Sequence, residues 1–481
     1  MRTYSLENKG NVSIYEYLYE CIKSDILTGI LKPEEKLPSK RSFATNQGVS
    51  IVTVENTYGQ LLAEGYIYSK AKSGFYVSKI EILDTNAKQL YTSYSNTKSI
   101  NSKQLEKKYI NLVSNRTTPE NFPFSSWARI SRNTLTEKND EILVSPPTGG
   151  VWELRQAIAK HLLEFRGISV RPEQIIIGAG SEYLYGLIVQ LLGREKSYGL
   201  ENPGSKKIKD IYEALGVKVS LLSMDDEGVL VCDDNLKGAD ILQISPSHQF
   251  PLGVVTSIGR RYSLLQWANE SDERYIIEDD YDSEFRLQGR PIPSLFSMDN
   301  TDKVIYFNTF SKSLTSTIRI SYMVLPEHLL ERFESKLGFY SCTVSNFEQY
   351  VLAGFIGDGY FEKHINRMRN HYRGLRDELI MKLKESAIGN KIEIMEENSG
   401  LHFVMKIATS YSDEELKKKA YDQGIIISFL LDYYNSENTI TSRKSNNISS
   451  NNYAGCAIVN YSGIDETKIH QVVMALEKAW E

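Results

Sequence analysis

Cysteine is scarce in this chain. There are four in 481 residues, Cys21, Cys232, Cys342 and Cys456, and no two form a CxxC pair. That spacing excludes a disulfide framework and a cysteine-based zinc site, so no metal is expected. Long apolar runs are missing too. No window approaches the roughly 18 consecutive apolar residues that a membrane span requires, and Met1 to Asn8 shows no apolar stretch of the secretion-signal kind. The expectation is a soluble, cytoplasmic chain with no membrane partner. Positive charge is in short supply: 56 Lys and Arg against 61 Asp and Glu leave a net charge of −5. This excludes a globally basic nucleic-acid binder, although a basic face on one module is enough for DNA. No internal repeat is present. What remains is 41% hydrophobic and 24% charged residues, enough for a packed core. The length suits about three domains, or a small domain on a large one.

Composition shifts twice along the chain. Residues 12–79 carry a compact helical pattern ending in a short strand-like pair. A stretch rich in Asn, Ser, Thr and Lys follows, with no sustained period, and reads as a linker. From about 111 onward, apolar β-rich runs alternate with helical stretches; the runs at 174–178, 240–244, 274–278 and 303–307 suit strands buried on both faces. That alternation implies a mostly parallel α/β sheet. A second polar tract, Asn435 to Asn452, reads as a long loop.

In the first region, Ile14, Leu18, Ile22 and Ile26 form one apolar stripe on a helix ending near Thr28-Gly29. Pro38 and Ser39 suit a second helix start, and Ser50 suits the N-cap of a third after the Gln47-Gly48-Val49 turn. In that third helix the spacing sends Val54, Tyr58, Leu61 and Leu62 inward and Thr53, Asn56, Thr57 and Gln60 outward. Two helices across a tight Gly turn, the second with a polar outer face, have helix-turn-helix geometry. Residues 64–68 and 75–77 can pair as a hairpin with a basic tip, Lys70 to Gly74, making a wing. Taken alone, a small helical bundle with a polar face is also compatible with no DNA binding at all.

In the large region, Lys312 stands between Ser311 and Ser313 just after the strand run ending at Phe307. Burying an ammonium is costly, and desolvation makes a lysine amine nucleophilic toward an aldehyde. A lone lysine after a strand would read as a surface-loop residue. This one has company. Glu278-Asp279-Asp280-Tyr281 ends another buried strand, and alternation puts Asp279 and Tyr281 on one face. A carboxylate and a phenol on one face can serve the nitrogen and the hydroxyl of a pyridine ring. Arg319 lies two helical turns beyond Lys312 if that segment is helical, placed for a phosphate or carboxylate. Gly178-Ala179-Gly180-Ser181-Glu182 ends a strand and opens a helix, a phosphate-cradling arrangement.

Residues 37–77, with Leu37-Pro38-Ser39 and Arg41, Val49-Ser50 followed by Thr53-Val54, and Glu64-Gly65-Tyr66, resemble the GntR-type winged helix. The departure is Ile51, where that family usually has Arg. The resemblance assigns Ser39, Lys40, Arg41, Ser50, Thr53, Asn56, Lys70 and Lys72 to DNA: the basic residues to phosphates, and Ser50, Thr53 and Asn56 to the groove. This module holds ten Lys and Arg against eight Asp and Glu in residues 1–80. The strings Trp152-Glu153-Leu154-Arg155, Ser245 to Pro251, Glu278 to Phe285 and Thr309 to Lys312 resemble fold-type I pyridoxal-phosphate enzymes of the aspartate aminotransferase type. The fusion of the two resembles MocR/GabR-like transcriptional regulators. The resemblance implies a winged helix over residues 1–80, a linker over 81–110 and an aminotransferase-like domain over 111–481, with a small subdomain from about 335. It also implies pyridoxal phosphate bonded to Lys312, with Asp279 on the ring nitrogen and Tyr281 on the ring hydroxyl. Ser181, Glu182, Thr309, Ser311 and Arg319 would surround the cofactor.

The departures from the family pattern gather on the substrate side. The usual Tyr-Gly-Asp-Pro stretch is Ser145-Pro146-Pro147-Thr148, and the aromatic of the acidic-Pro-Gly-Tyr turn is Ser205. Lys207 stands where relatives can carry a carboxylate-binding Arg, and Leu430 to Tyr433 contain no late Arg. Lys lacks the bidentate fork. Ser321 replaces a usual Gly. Lys207 and Arg319 are the expected ligand contacts. The reading is a regulator, with no catalytic residue assigned, that binds an operator in double-stranded DNA. It would sense a small amine or pyridoxal phosphate itself and work as a head-to-tail homodimer. The alternatives are an active aminotransferase with an accessory DNA-binding domain, and a regulator whose large domain only dimerises.

Overall fold

The stripe of Ile14, Leu18, Ile22 and Ile26 becomes α1 (Ile14–Leu27), with the last three buried. The computed structural model describes residues 3–6, 12–71, 73–80, 109–114, 118–287, 292–396, 400–435 and 453–481. Lys72, residues 81–108 of the expected linker and 436–452 of the polar tract lie outside the described residues. The chain divides into two units, residues 1–101 and 102–481.

In the first unit, α2 (Lys40–Gln47) begins where the Ser39 hydroxyl accepts the Ser42 N–H, and α3 (Ile51–Ala63) where Ser50 accepts that of Thr53. Each such cap stabilises its helix by about 1 kcal/mol. Gly48 ends α2 at φ 67°, a left-handed turn that a side chain resists. Tyr58 fills the centre, its ring 5.8 Å from Phe43 and 5.2 Å from Phe75. The wing is β1 (Ile67–Lys70) antiparallel to β2 (Gly74–Val77). Two expectations for α3 are corrected. Thr57 is fully buried, its hydroxyl donating to the carbonyls of Tyr15 and Thr53, so backbone groups satisfy a polar side chain inside the core. Leu62 is 42% exposed, because Val54, Tyr58 and Leu61 already fill the inward arc.

The second unit opens with β3 (Ile110–Asn111), so the last residue of the expected linker already belongs to a strand. Its main sheet comprises β4 (Ile175–Gly178), β5 (Ser197–Asn202), β6 (Lys218–Asp225), β7 (Gly228–Val229), β8 (Ile241–Ile244), β9 (Tyr275–Asp279), β10 (Val304–Thr309) and β11 (Ser321–Val324). The strand order is β4-β11-β10-β9-β8-β5-β6-β7. From β10 to β6 all neighbours are parallel, while β11 runs against both β10 and β4. The strands are apolar on both faces because helices cover both. Ile175 and Ile177 enter one apolar cluster and Ile176 another; Tyr306 and Phe307 divide the same way. A second, antiparallel sheet follows, built of β12 (Ile392–Met395), β13 (His402–Ile407), β15 (Ser428–Phe429) and β16 (Cys456–Asn460). The short β14 (Ile425–Ile426) pairs in parallel with β3.

Charges under the main sheet are paired. Arg166 meets Asp280 at 2.9 Å with both side chains buried. Arg261 donates to the carbonyls of Thr256, Pro246 and Pro293, and Glu278 accepts the N–H groups of Leu295 and Phe296. These contacts fix the loops at the carboxyl ends of β8 and β9, where ligands bind in open α/β sheets.

Candidate functional site

A cavity of about 300 Å³ opens at the carboxyl ends of β4, β5, β8, β9 and β10. Ser181, Asp279, Tyr281, Thr309 and Lys312 line it, so five expected residues from three strand ends meet there. Strand alternation is the cause: Asp279 and Tyr281 face the cavity, while Glu278 and Asp280 face the buried pairs on the other side. Lys312 sits in the four-residue helix Phe310–Ser313 that follows β10. Burial lowers its pKa, against the pull of Asp282 and Asp279. Burial likewise raises Asp279, to about 7, although the Tyr185 hydroxyl donates to its Oδ2 at 3.1 Å.

Behind the cavity a chain of hydroxyls joins three elements. Ser181 donates to Ser321 at 3.4 Å, Ser321 to Thr309 at 2.8 Å, and Thr309 to Ser311 at 3.0 Å. Gly180 caps the helix Ser181–Leu192 at φ 91°; a Cβ there would lie 2.4 Å from the Arg319 guanidinium. The expected helical path from Lys312 to Arg319 is corrected. The helix stops at Ser313, and Arg319 has φ 50°, so the guanidinium reaches the site from a turn. Glu182, Lys207 and Arg319 stand together beside the cavity rather than in its lining. The Glu182 carboxylate binds Lys207 with one oxygen and Arg319 with the other. These two cations were expected to await a ligand; here they share a protein anion.

Several site residues escaped the reading of the sequence as functional groups. Glu201, at the end of β5, lines the cavity; burial raises its pKa to about 8, and its carboxylate accepts the Ser245 N–H at 3.2 Å. Tyr185 lies one helical turn beyond Ser181, a spacing that could have flagged it. His248 Nδ1 stands 2.8 Å from Asp282 and 3.2 Å from the Tyr281 hydroxyl, backing the phenol. The segment expected to carry a late Arg instead packs on the Pro203 turn: Gly204 N–H donates to Tyr433, and Asn435 exchanges hydrogen bonds with Asn202. Leu430 is buried.

The small unit presents its own surface. Ser39, Arg41, Ser50, Asn56 and Lys70 are exposed, while Lys40 and Thr53 are half-buried. Lys40 is 3.3 Å from Glu55, and Lys70 lies over the Tyr76 ring at 4.7 Å and 4.0 Å from Glu34. Ser39 and Ser50 spend their hydroxyls as helix caps. Among the described residues, no group of three His, Cys, Asp or Glu is arranged for a metal, and no helix is long and apolar enough to cross a membrane.

A lysine, an aspartate and a phenol converging at the carboxyl ends of a doubly covered, mostly parallel sheet, in a chain that also carries a winged helix, define a class: a fold-type I, aminotransferase-like domain joined to a DNA-binding module. The comparisons give the family. Residues 107–431 match the aminotransferase class I and II model, and residues 14–77 match that of the gntR family of bacterial regulatory proteins. The chain is 35% identical over 473 residues to the uncharacterized HTH-type transcriptional regulator YdeL of Bacillus subtilis, covering 98% of this chain and 97% of the relative. It is 29% identical to the probable rhizopine catabolism regulatory protein MocR of Rhizobium meliloti, over 99% and 95% of the two chains. It is 30% identical to the pyridoxine biosynthesis transcriptional regulator PdxR of Corynebacterium glutamicum, over 82% and 83%. Among solved structures, the kynurenine aminotransferase of Pyrococcus horikoshii superposes with TM-score 0.64 at 22% identity, over 86% of this chain and 96% of that one. The chain belongs to the HTH-type transcriptional regulators that join a GntR winged helix to an aminotransferase class I and II domain.

Pyridoxal phosphate is the cofactor of that class, and the residues present fit it. The cavity has the volume for a ring, an amine whose charge burial disfavours, and a carboxylate opposite. The absence of a side chain at Gly180 lets the Arg319 guanidinium pack against the start of the helix Ser181–Leu192, beside the cavity-lining hydroxyls of Ser181 and Thr309, a donor set suited to a phosphate.

Proposed function

We propose that this chain is a pyridoxal-phosphate-dependent, DNA-binding regulator whose large domain senses a small amine or the cofactor itself and changes the affinity of the winged helix for an operator. The partition that supports this reading is 1–80 for the winged helix, 81–110 for the linker and 111–481 for the sensor, whose small subdomain begins near 335. The observation that carries it is the pairing, in one chain, of a winged helix with a cavity that keeps Lys312, Asp279 and Tyr281 and has no arginine among the described residues of its lining.

When bound, the cofactor supplies an aldehyde for an amine and a ring that withdraws electrons. Lys312 would hold it through the ε-amine, its charge disfavoured by burial. Asp279 would keep a proton on the ring nitrogen, steadied by Tyr185. Tyr281 would meet the ring hydroxyl with His248 behind it. Ser181, Thr309, Ser311 and Arg319 would take the phosphate; Glu182 contributes by holding Arg319 and Lys207 rather than by touching the ring.

Transamination requires the amino substrate's carboxylate to be clamped in a reactive pose, and loss of one clamp costs orders of magnitude in rate. With Leu430 buried and Lys207 bound to Glu182, no arginine among the described residues lines the cavity as a bidentate clamp. Sensing needs only a ligand that prefers one conformation of the protein. A homodimer is supported by apolar surface on adjoining segments: Leu143 is 83% exposed, Val144 61% and Phe339 75%, with Thr148 hydrogen-bonded to Gly338 between them. The test is a titration of the cofactor-loaded protein with candidate amines, following its visible absorbance and its operator affinity together. A ligand that moves both signals supports the reading. Rapid turnover of an amino donor and a keto acceptor, with operator affinity unmoved, would replace it with the enzymatic one.

A further inference from the structure

The recognition helix α3 reads Ile-Val-Thr-Val-Glu-Asn-Thr-Tyr-Gly-Gln-Leu-Leu-Ala and contains no lysine or arginine. Its one charged side chain, Glu55, is held by Lys40 at 3.3 Å. The commonest direct readout of DNA, a guanidinium or ammonium on guanine O6 and N7, is therefore closed to this helix. Two β-branched residues occupy its first turn in the open instead, with Ile51 45% exposed and Val52 63% exposed. Such residues weaken a helix slightly and earn that cost back only by packing, yet neither enters the core of the unit. Their polar neighbours are engaged: Ser50 and Thr53 hydroxyls lie 2.8 Å apart, and the Gln60 amide donates to Glu64. Asn56, one turn from Val52, is exposed on the same stripe. Gly59 continues that stripe and has open space where a Cβ would stand.

We propose that α3 recognises A·T pairs, with Val52 and Ile51 against thymine methyl groups and Asn56 across N6 and N7 of an adenine. This rests on the DNA-binding reading above and gives it a specificity. In the major groove the thymine C5-methyl is an apolar knob, and it suits exposed branched side chains at the helix N-terminal turn, the part of a recognition helix that meets base edges. An asparagine one turn further has the donor and acceptor pair that adenine presents there.

The experiment uses the full-length chain and a duplex library with a random core. Bound duplexes are selected and sequenced, and each A·T pair of the selected half-site is then altered singly, thymine to deoxyuridine or adenine to 7-deazaadenine. Wild-type protein is expected to lose about fourfold in affinity at one or two deoxyuridine positions, as burial of one methyl group implies. It is expected to lose about tenfold at one 7-deazaadenine position, as loss of a bidentate contact implies. Val52→Ala should abolish the deoxyuridine effect at its own position, and Ile51→Ala with Val52→Ala should abolish it at both, each keeping the 7-deazaadenine effect, while Asn56→Ala should do the reverse; all three sites are exposed, and circular dichroism checks that each variant folds. Sequence-specific binding to G·C half-sites, or equal affinity for thymine and deoxyuridine duplexes, overturns the proposal and leaves the DNA-binding reading intact. Failure to enrich any sequence overturns both.

Discussion

The two units of this chain carry function in opposite ways. In the small unit the core is almost wholly apolar, and the polar and basic side chains expected to meet DNA lie on the outside, on α2, α3 and the wing. In the large unit the chemistry lies inside, where Arg166 and Asp280, His248 and Asp282, and Lys312 near Asp279 sit within the protein. The difference follows from what each ligand is. A DNA backbone is a large, solvated polyanion and is met at the surface, whereas a small cofactor gains specificity when water is excluded. Burial of a charge is expensive, and Arg166 with Asp280 and His248 with Asp282 offset that cost by pairing.

This contrast can be broken by mutation. The largest expected effect is that of Lys312→Ala, which should abolish the visible absorbance of cofactor-loaded protein and let the cofactor leave on dialysis, while operator affinity without effector stays unchanged. A simultaneous loss of operator binding would show that the small unit depends on the loaded cavity. Next is Arg41→Ala, which should weaken binding to all DNA sequences about equally and reduce the slope of log affinity against log salt by about one. Unchanged DNA affinity in a filter or fluorescence assay would remove Arg41 from the interface.

A third effect depends on pH. Burial raises Asp279 to about 7 and Glu201 to about 8, above their values in the unfolded chain. At these two groups the folded state therefore holds more protons than the unfolded state between roughly pH 4 and 8, and the stability they contribute falls as pH rises. Buried His161 and His364 act in the opposite direction below about pH 6.5, so the test is a difference: from pH 5.5 to 8 the melting temperature of cofactor-free Glu201→Gln should fall less, or rise more, than that of the wild type, and identical profiles would contradict the burial of Glu201. The smallest effect is that of Ser50→Ala, which removes the α3 cap and should cost the small unit about 1 kcal/mol, read from denaturant unfolding. The large unit, followed by its own fluorescence, should not respond.

Much of the small unit was legible because its determinants are local. The four-residue apolar spacing located α1, and Ser39 and Ser50 announced two helix starts. Thr57 and Leu62 were misplaced because helical spacing alone does not say how wide the buried arc is; the packing of Tyr58 against α1 and β2 sets that. In the large unit, β4, β8, β9 and β10 stand within a residue or two of their expected runs, and alternation put Asp279 and Tyr281 on the cavity face. The bridging role of Glu182 was not legible, since Lys207 and Arg319 are 25 and 137 residues away from it.

The sequence by itself determined the kinds of element, the winged helix, the parallel sheet and the lysine, carboxylate and phenol of the cavity. These depend on residue type and short-range periodicity, which the chain displays directly. Only the tertiary structure decided that Glu182 bridges Lys207 and Arg319 and that Ser321 links the hydroxyls of Ser181 and Thr309. It also placed Glu201 in the cavity wall. Those contacts depend on which strand ends the sheet order brings side by side, and distant partners leave no periodic mark in a single chain.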